Sequence, residues 1–152
     1  MPATAKFYKC DVDEFYMSGE HTTLKEDCSE VVSAHALEFL LTSQYVKSGR
    51  RLAQVIKGSG MGEESSGAIS DYSLFCRSER NFLLTDEVRR KYGIIAYVRY
   101  RDDFVIITNG TEHVIMQEFF HRLRERTAPF LFKVESISSR DFVMLDLHFF
   151  KG

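Results

Sequence analysis

The apolar positions of this chain change period from stretch to stretch, and each change marks an element. Lys6–Asp11, built around Phe7-Tyr8 and Cys10, is a short run between charges and reads as a strand. Val31, Ala34, Leu37, Leu41 and Tyr45 then recur at helical spacing. Ser29 stands at the N-cap position with Glu30 in the first turn, and Ser48-Gly49 ends the helix. Leu52–Ile56 predicts a short strand. Gly58, Gly60, Gly62 and Gly67 punctuate a loop, and Ser66 opens a second helix that carries Ile69, Tyr72, Phe75 and Cys76 inward. That helix continues or restarts through Leu83, Leu84 and Val88 and ends near Gly93. Ile94–Tyr100 and Phe104–Thr108 flank a tight polar turn and predict a β-hairpin. Asn109-Gly110 turns the chain, and Thr111 caps a helix running through Arg126, with Val114 or Ile115, Phe119 and Leu123 as its buried stripe. Pro129 lies past its end. Phe130–Ser136 and Phe142–Phe149 read as closing strands. The order contains βαββαβ, which predicts an α+β, ferredoxin-like fold with an antiparallel sheet and packed helices. Such a sheet brings the end of the first strand beside the tip of the central hairpin.

That juxtaposition matters because of what stands at the two places. Tyr100-Arg101-Asp102-Asp103 puts two adjacent carboxylates on a stiff turn, and Asp11 ends the first strand. Acids held together repel unless a cation lies among them. Hard oxygen ligands on a rigid support suit Mg²⁺, and two carboxylate sources suit the paired ions of a phosphoryl-transfer site. Taken alone, Asp102-Asp103 reads as a polar turn, since Asp tolerates turn conformations.

The order of three short motifs adds to this. Asp11 with Phe15-Tyr16 four and five residues on resembles motif A of the reverse transcriptases, and Tyr100-Arg101-Asp102-Asp103 resembles their motif C. Between them Met61-Gly62-Glu63-Glu64-Ser65-Ser66-Gly67 resembles motif B, with Met61 where the family has Gln and Gly67 where it has Pro. The resemblance implies a polymerase palm that carries out template-directed nucleotidyl transfer to DNA with two Mg²⁺ (or Mn²⁺) ions. It implies Asp11 and Asp102 as bridging ligands, the Val12 carbonyl as a further oxygen, and Asp103 as a looser third acid. Tyr16 corresponds to the aromatic gate that rejects a 2′-hydroxyl, and Phe15 to a core residue. Gly62 and Ser66 match positions that contact the template or nascent base pair. Lys133 is the candidate proton donor to pyrophosphate. Val143-Met144-Leu145-Asp146-Leu147 looks like the Leu-Asp-Leu strand of Penelope-like retroelements, where it opens a primer-gripping hairpin. Tyr16, and Arg101 ahead of the acid pair, argue against a viral RNA polymerase. The implied partners are an RNA or DNA template with primer, and dNTP.

Composition narrows the picture. A length of 152 residues allows one domain, and 44% hydrophobic residues with 13 phenylalanines supply its core. No apolar run is long enough to cross a membrane, and Met1–Lys6 lacks the apolar centre of a signal peptide. The three cysteines, Cys10, Cys28 and Cys76, have no metal-binding spacing and fit a reducing compartment. The expectation is an intracellular protein of nucleus or cytoplasm, not secreted and with no membrane partner. A net charge of −2 is low for a nucleic-acid binder, although Lys47/Arg50/Arg51/Lys57, Arg89/Arg90/Lys91 and Arg122/Arg124/Arg126 form local basic clusters. Fingers and thumb regions of the family do not fit in this length. The expectation is therefore that residues 1–152 are a palm fragment, inactive alone, whose parent protein supplies both. The alternative is a catalytically silent ferredoxin-like module that binds nucleic acid or a protein.

Overall fold

The computed structural model describes residues 1–151. Its centre is a four-stranded sheet in the order β4-β5-β1-β6, formed by β1 (Lys6–Asp13), β4 (Ile94–Tyr100), β5 (Asp103–Thr108) and β6 (Leu131–Ser138). Every neighbouring pair is antiparallel. Helices connect β1 to β4 and β5 to β6, so the chain forms the α+β, ferredoxin-like arrangement.

Alternation along β1 fixes the two faces of the sheet. Tyr8, Cys10 and Val12 enter the main core beneath the helices, while Phe7 lies on the opposite face in a smaller cluster with Val105 and Ile107. The helical layer comprises α1 (His21–Cys28), α2 (Ala34–Thr42), α3 (Glu64–Leu74), a π-helical segment (Phe75–Leu83), α4 (Asp86–Lys91) and α5 (His113–Thr127). Phe119 of α5 lies at its heart, with Tyr92, Phe120 and Phe82 at centroid distances of 5.0, 5.2 and 5.9 Å. Burial of each such ring contributes roughly 1.5–3 kcal/mol.

Several expectations shift in detail. The helix expected from Ser29 to Ser48 is shorter: α2 covers only Ala34–Thr42, Tyr45–Ser48 is a strand, and α1 precedes it as a separate, unexpected helix. Ser29 does not open α2; Ser29 ends α1 and donates to the Glu26 carbonyl at 2.7 Å. Ser33 caps α2 instead, accepting the Ala36 N–H. The polar sequence of α1 hides its signal, since only Leu24 and Cys28, one helical turn apart, are buried. Leu52–Ile56 is displaced to β3 (Arg51–Gln54), which pairs with β2 (Tyr45–Ser48) as a separate hairpin. The helix after the glycine loop begins at Glu64, not Ser66. Thr111 does not cap α5: its hydroxyl donates to the Tyr92 carbonyl at 2.8 Å, and Glu112 occupies the cap position. The stripe of α5 takes Met116, Phe119, Phe120 and Leu123, while Val114 is exposed.

The closing segment Phe142–Phe149 is a hairpin, not one strand. It consists of β7 (Asp141–Met144) and β8 (Leu147–Phe150), with Leu145 in the turn at φ +54°. Phe142 and Phe149 stack with centroids 4.6 Å apart, and Phe142 and Met144 pack on Phe7, Val105 and Ile107. One end of the open sheet face is thereby covered.

Candidate active site

The other end of that face carries the acids. Asp11 and Asp103 are cross-strand partners in the β1–β5 register, and the Val12 N–H donates to the Asp102 carbonyl at 2.9 Å. In an extended strand the N–H and C=O of one residue point the same way, so the Val12 carbonyl also projects toward the hairpin tip. Alternation continues along both flanking strands. Lys9 and Asp13 share the face of Asp11, and Lys133 and Glu135 of β6 join them across the β1–β6 ladder.

Two lysines knit this face together. Lys133 Nζ sits 3.1 Å from both Asp11 Oδ2 and Asp13 Oδ1. Lys9 Nζ lies 3.0 Å from Glu135 and 3.9 Å from Asp103. Hydrogen bonds to Asp11 and then Asp13 raise the Lys133 pKa above its ordinary value. The Asp103 pKa is raised above its ordinary value. Desolvation is the main cause; Lys9 opposes it, and the charges of Asp102, Asp11 and Glu135 add to it. The part of that rise that comes from acidic neighbours is one that an added cation would relieve.

The donor set of Asp11, Asp102, Asp103 and the Val12 carbonyl is all hard oxygen and fits Mg²⁺ in kind. Among the described residues no three His, Cys, Asp or Glu side chains surround one point. Lys133 and Lys9 lie against two of the carboxylates concerned, so ion binding requires those lysines to yield.

The turn that presents Asp102 is held from behind. Arg101 adopts φ +56°, in the left-handed region that non-glycine residues rarely enter. Its guanidinium pairs with Asp71 of α3, passing close over Gly67, where a side chain would collide with it. Arg99 donates to the Arg101 carbonyl at 2.9 Å and to Asp71 Oδ1 at 2.6 Å, and also pairs with Glu79 of the π-helical segment. The Tyr97 hydroxyl donates to the same Glu79 at 2.8 Å. Glu79 is buried, and burial, followed by the Glu79 charge, pushes the Tyr97 phenol well up. A second left-handed residue, Glu14 at φ +47°, bends the chain between Asp13 and Tyr16. Strain of this kind costs about 1–3 kcal/mol per residue and persists only where its surroundings enforce it.

That bend delivers Phe15 to the core, as expected, and leaves Tyr16 half-buried with its ring edge-on to Phe15. Tyr16 lines an open pocket of about 410 Å³ with Met61, Gly62, Glu63, Glu64, Gly67 and Arg101. The three sequence motifs thus meet around one space. The glycine loop meets Tyr16 backbone to backbone. Ser59 and Gly60 N–H groups donate to the Tyr16 carbonyl at 2.9 and 3.2 Å, and a Cβ on Gly58 would run into the Met17 backbone. Gly62 is exposed at the pocket, whereas Ser66 is buried and donates to the Ser59 carbonyl at 2.6 Å.

Sequence reasoning did not single out Lys9, Asp13, Glu135, Asp71, Glu79 or Arg99. For Lys9, Asp13 and Glu135 the signal was present, since each lies two residues from a residue already chosen on an alternating strand. No sequence spacing marks Asp71 or Glu79 as partners of Arg99.

The ferredoxin-like sheet, with Asp11 at the end of its first strand and Asp102-Asp103 on its central hairpin, is a fold also found in solved telomerase structures. Among solved structures the chain is similar to apo telomerase from Candida tropicalis. It matches the form truncated from the C-terminal domain with a TM-score of 0.62 at 17% identity, over 96% of this chain and 34% of that one. It matches a second apo telomerase structure from the same organism with a TM-score of 0.60 at 14% identity, over 91% of this chain and 28% of that one. The chain therefore spans about a third of the telomerases it resembles. At these identities the likeness is one of fold. No protein-family model and no curated protein matches the sequence.

Proposed function

We propose that this chain is the palm of an RNA-directed DNA polymerase and contributes the catalytic carboxylates for template-directed nucleotidyl transfer. The observation that carries the reading is the pairing of Asp11 with Asp103, locked by the Val12 N–H to Asp102 carbonyl bond. In this reading Asp11 and Asp102 would hold two Mg²⁺ or Mn²⁺ ions, with Asp103 and the Val12 carbonyl as further oxygens. Such ions, when bound, activate the primer 3′-hydroxyl and neutralise the departing pyrophosphate. The chain's own residues bind and orient the reactants. The Tyr16 ring fills the wall of the pocket where a 2′-hydroxyl would enter, favouring dNTP. Gly62 offers bare backbone to the nascent base pair, and Ser66 acts through the loop it holds in shape. Lys133 carries the proton for the leaving group and moves off Asp11 as the site fills.

The partners in this reading are a primed RNA or DNA template, dNTP, and the fingers and thumb regions of a longer parent protein inside the cell. No helix among the described residues is long and apolar enough to cross a membrane. A retroelement origin, and its Penelope-like branch, rest on the Val143–Leu147 string alone.

One observation favours the second reading, a silent nucleic-acid- or protein-binding module: Lys133 and Lys9 already neutralise Asp11 and Asp103. Primer extension separates the two. The isolated chain with Mg²⁺ and dNTP gives no processive synthesis, because near-attack positioning needs more than the acids. Fused to fingers and thumb segments, it extends a primer, and Tyr16→Ala raises the relative use of ribonucleotides. A fusion without activity, or an unchanged ratio of the two sugars, contradicts the proposal.

A further inference from the structure

The β2–β3 hairpin differs from the rest of the molecule in having nothing packed on it. All four residues of each strand are exposed, including Tyr45, Val46 and Leu52. Its anchors are at the base, where the Val55 N–H donates to the Gln44 carbonyl at 2.9 Å and Gln54 Nε2 donates to the Thr42 carbonyl at 2.7 Å. A two-stranded hairpin is marginal on its own in water. One that projects bare from a folded domain gains if a partner covers it.

Its charge says which partner. From Phe39 to Gly62 the chain carries Lys47, Arg50, Arg51 and Lys57 and not one acid, in a protein whose net charge is −2. The register sets Lys47 opposite Leu52 and Ser48 opposite Arg51. Lys47 and Arg51 therefore lie on opposite faces, and Arg50 stands in the turn beside Gly49, at φ +61°. The tip presents cations on both faces and at its end. Among the described residues none of Lys47, Arg50 and Arg51 has an acidic partner. Most members of the other basic clusters are engaged. Lys91 pairs with Glu118 at 2.8 Å, Arg89 donates to the Ile95 carbonyl, and Arg122 donates to the Tyr92 hydroxyl. Arg124 lies over the Phe132 ring and Arg126 over Phe82.

We propose that the β2–β3 tip is a docking surface for the phosphodiester backbone of a nucleic acid; the choice of nucleic acid among polyanions rests on the polymerase reading above. The base of the hairpin is tied to the glycine loop of the candidate site. Gln44, whose carbonyl anchors the hairpin, also donates through Nε2 to the Ser59 carbonyl at 2.7 Å, beside the Tyr16 turn. Contacts of this kind are to phosphates, so they confer register and salt-sensitive affinity without sequence preference.

The test is fluorescence anisotropy over a salt series with the full chain and labelled DNA duplex, RNA–DNA hybrid and single-stranded RNA. The combined variant Lys47→Gln, Arg50→Gln, Arg51→Gln should lower affinity at least about tenfold and flatten the salt slope by about 2–3, one step per lost phosphate contact. Arg89→Gln, Arg90→Gln, Lys91→Gln removes equal charge elsewhere and should leave affinity within about twofold. Arg50→Lys with Arg51→Lys keeps the charge and should retain binding. The hairpin supports no core residue, so circular dichroism melts of the variants should coincide with the wild type. Equal weakening by both triple variants, no binding by the wild type, or a hairpin-dependent dimer in sedimentation without nucleic acid would each overturn the proposal. The three probes decide between RNA and DNA as the source of the backbone. Asp102→Asn should leave this binding intact, so loss of metal binding and loss of hairpin binding are separate failures.

Discussion

The central hairpin is held between two ion-pair networks of similar composition and different character. Behind it, Arg99 joins Glu79, Asp71 and the Arg101 carbonyl, with both Arg99 and Glu79 nearly buried. In front, Lys133 and Lys9 reach across the open sheet face to Asp11, Asp13, Asp103 and Glu135, and the Lys133 side chain is 54% exposed. Arginine behind and lysine in front is a meaningful choice. A guanidinium makes several bonds in fixed geometry and stays charged, whereas an ammonium is a mobile point charge on a flexible stem. The rear network suits a permanent brace for a strained turn. The front network suits charges that can be displaced when a different cation, with substrate, enters. The difference is the physical basis for reading one as scaffold and the other as site.

Breaking the rear network tests that division most severely. Arg99→Ala leaves Glu79 buried without its cation and should destabilise the fold by roughly 3–5 kcal/mol, measured as a lowered urea midpoint. A loss too small to measure would remove the brace. Asp71→Asn is milder. It keeps the shape but drops the charge that holds both arginines, and should cost about 1–3 kcal/mol. Its more telling readout is local. Amide exchange at Val12, whose N–H bonds to the Asp102 carbonyl, should quicken more than exchange at Ile106 in the middle of β5. Uniform quickening would mean that Asp71 supports the fold generally and not the turn. Lys133→Met lies at the other extreme. Its loss should leave the unfolding midpoint where it was, because an exposed pair is screened by water. Divalent-cation binding should tighten once the competing ammonium is gone; weaker binding would make Lys133 part of the site's support.

Much of this was legible in the sequence, and the parts that were not share a cause. The sheet, its order and the meeting of Asp11 with the Asp102-Asp103 turn follow from apolar periodicity and the βαββαβ order, because alternation and connection rules constrain strands strongly. α1 has no counterpart among the expected elements because it buries only Leu24 and Cys28, too few positions to show a period. The β7–β8 hairpin carries no turn signal in the sequence, because its turn is Leu145-Asp146, without glycine or asparagine, and is held by the Phe142–Phe149 stack. At the site, the acids and Tyr16 could be named, but Asp71 and Glu79 could not. Their roles come from helices laid against the back of the hairpin, a tertiary fact with no local signature. The departures from the motif-B pattern also acquire a partial account, since Gly67 leaves the space that the Arg101 guanidinium occupies.

Titration with Mn²⁺, followed by water proton relaxation, decides whether the front carboxylates form a cation site. The wild-type chain should show weak, saturable binding, as expected where substrate phosphates are not present to complete the shell. Asp11→Asn and Asp102→Asn should each weaken it at least about tenfold, roughly 1.4 kcal/mol, with folding unchanged by circular dichroism. Binding of equal strength in the wild type and in both variants, or none in any of them, would contradict the account.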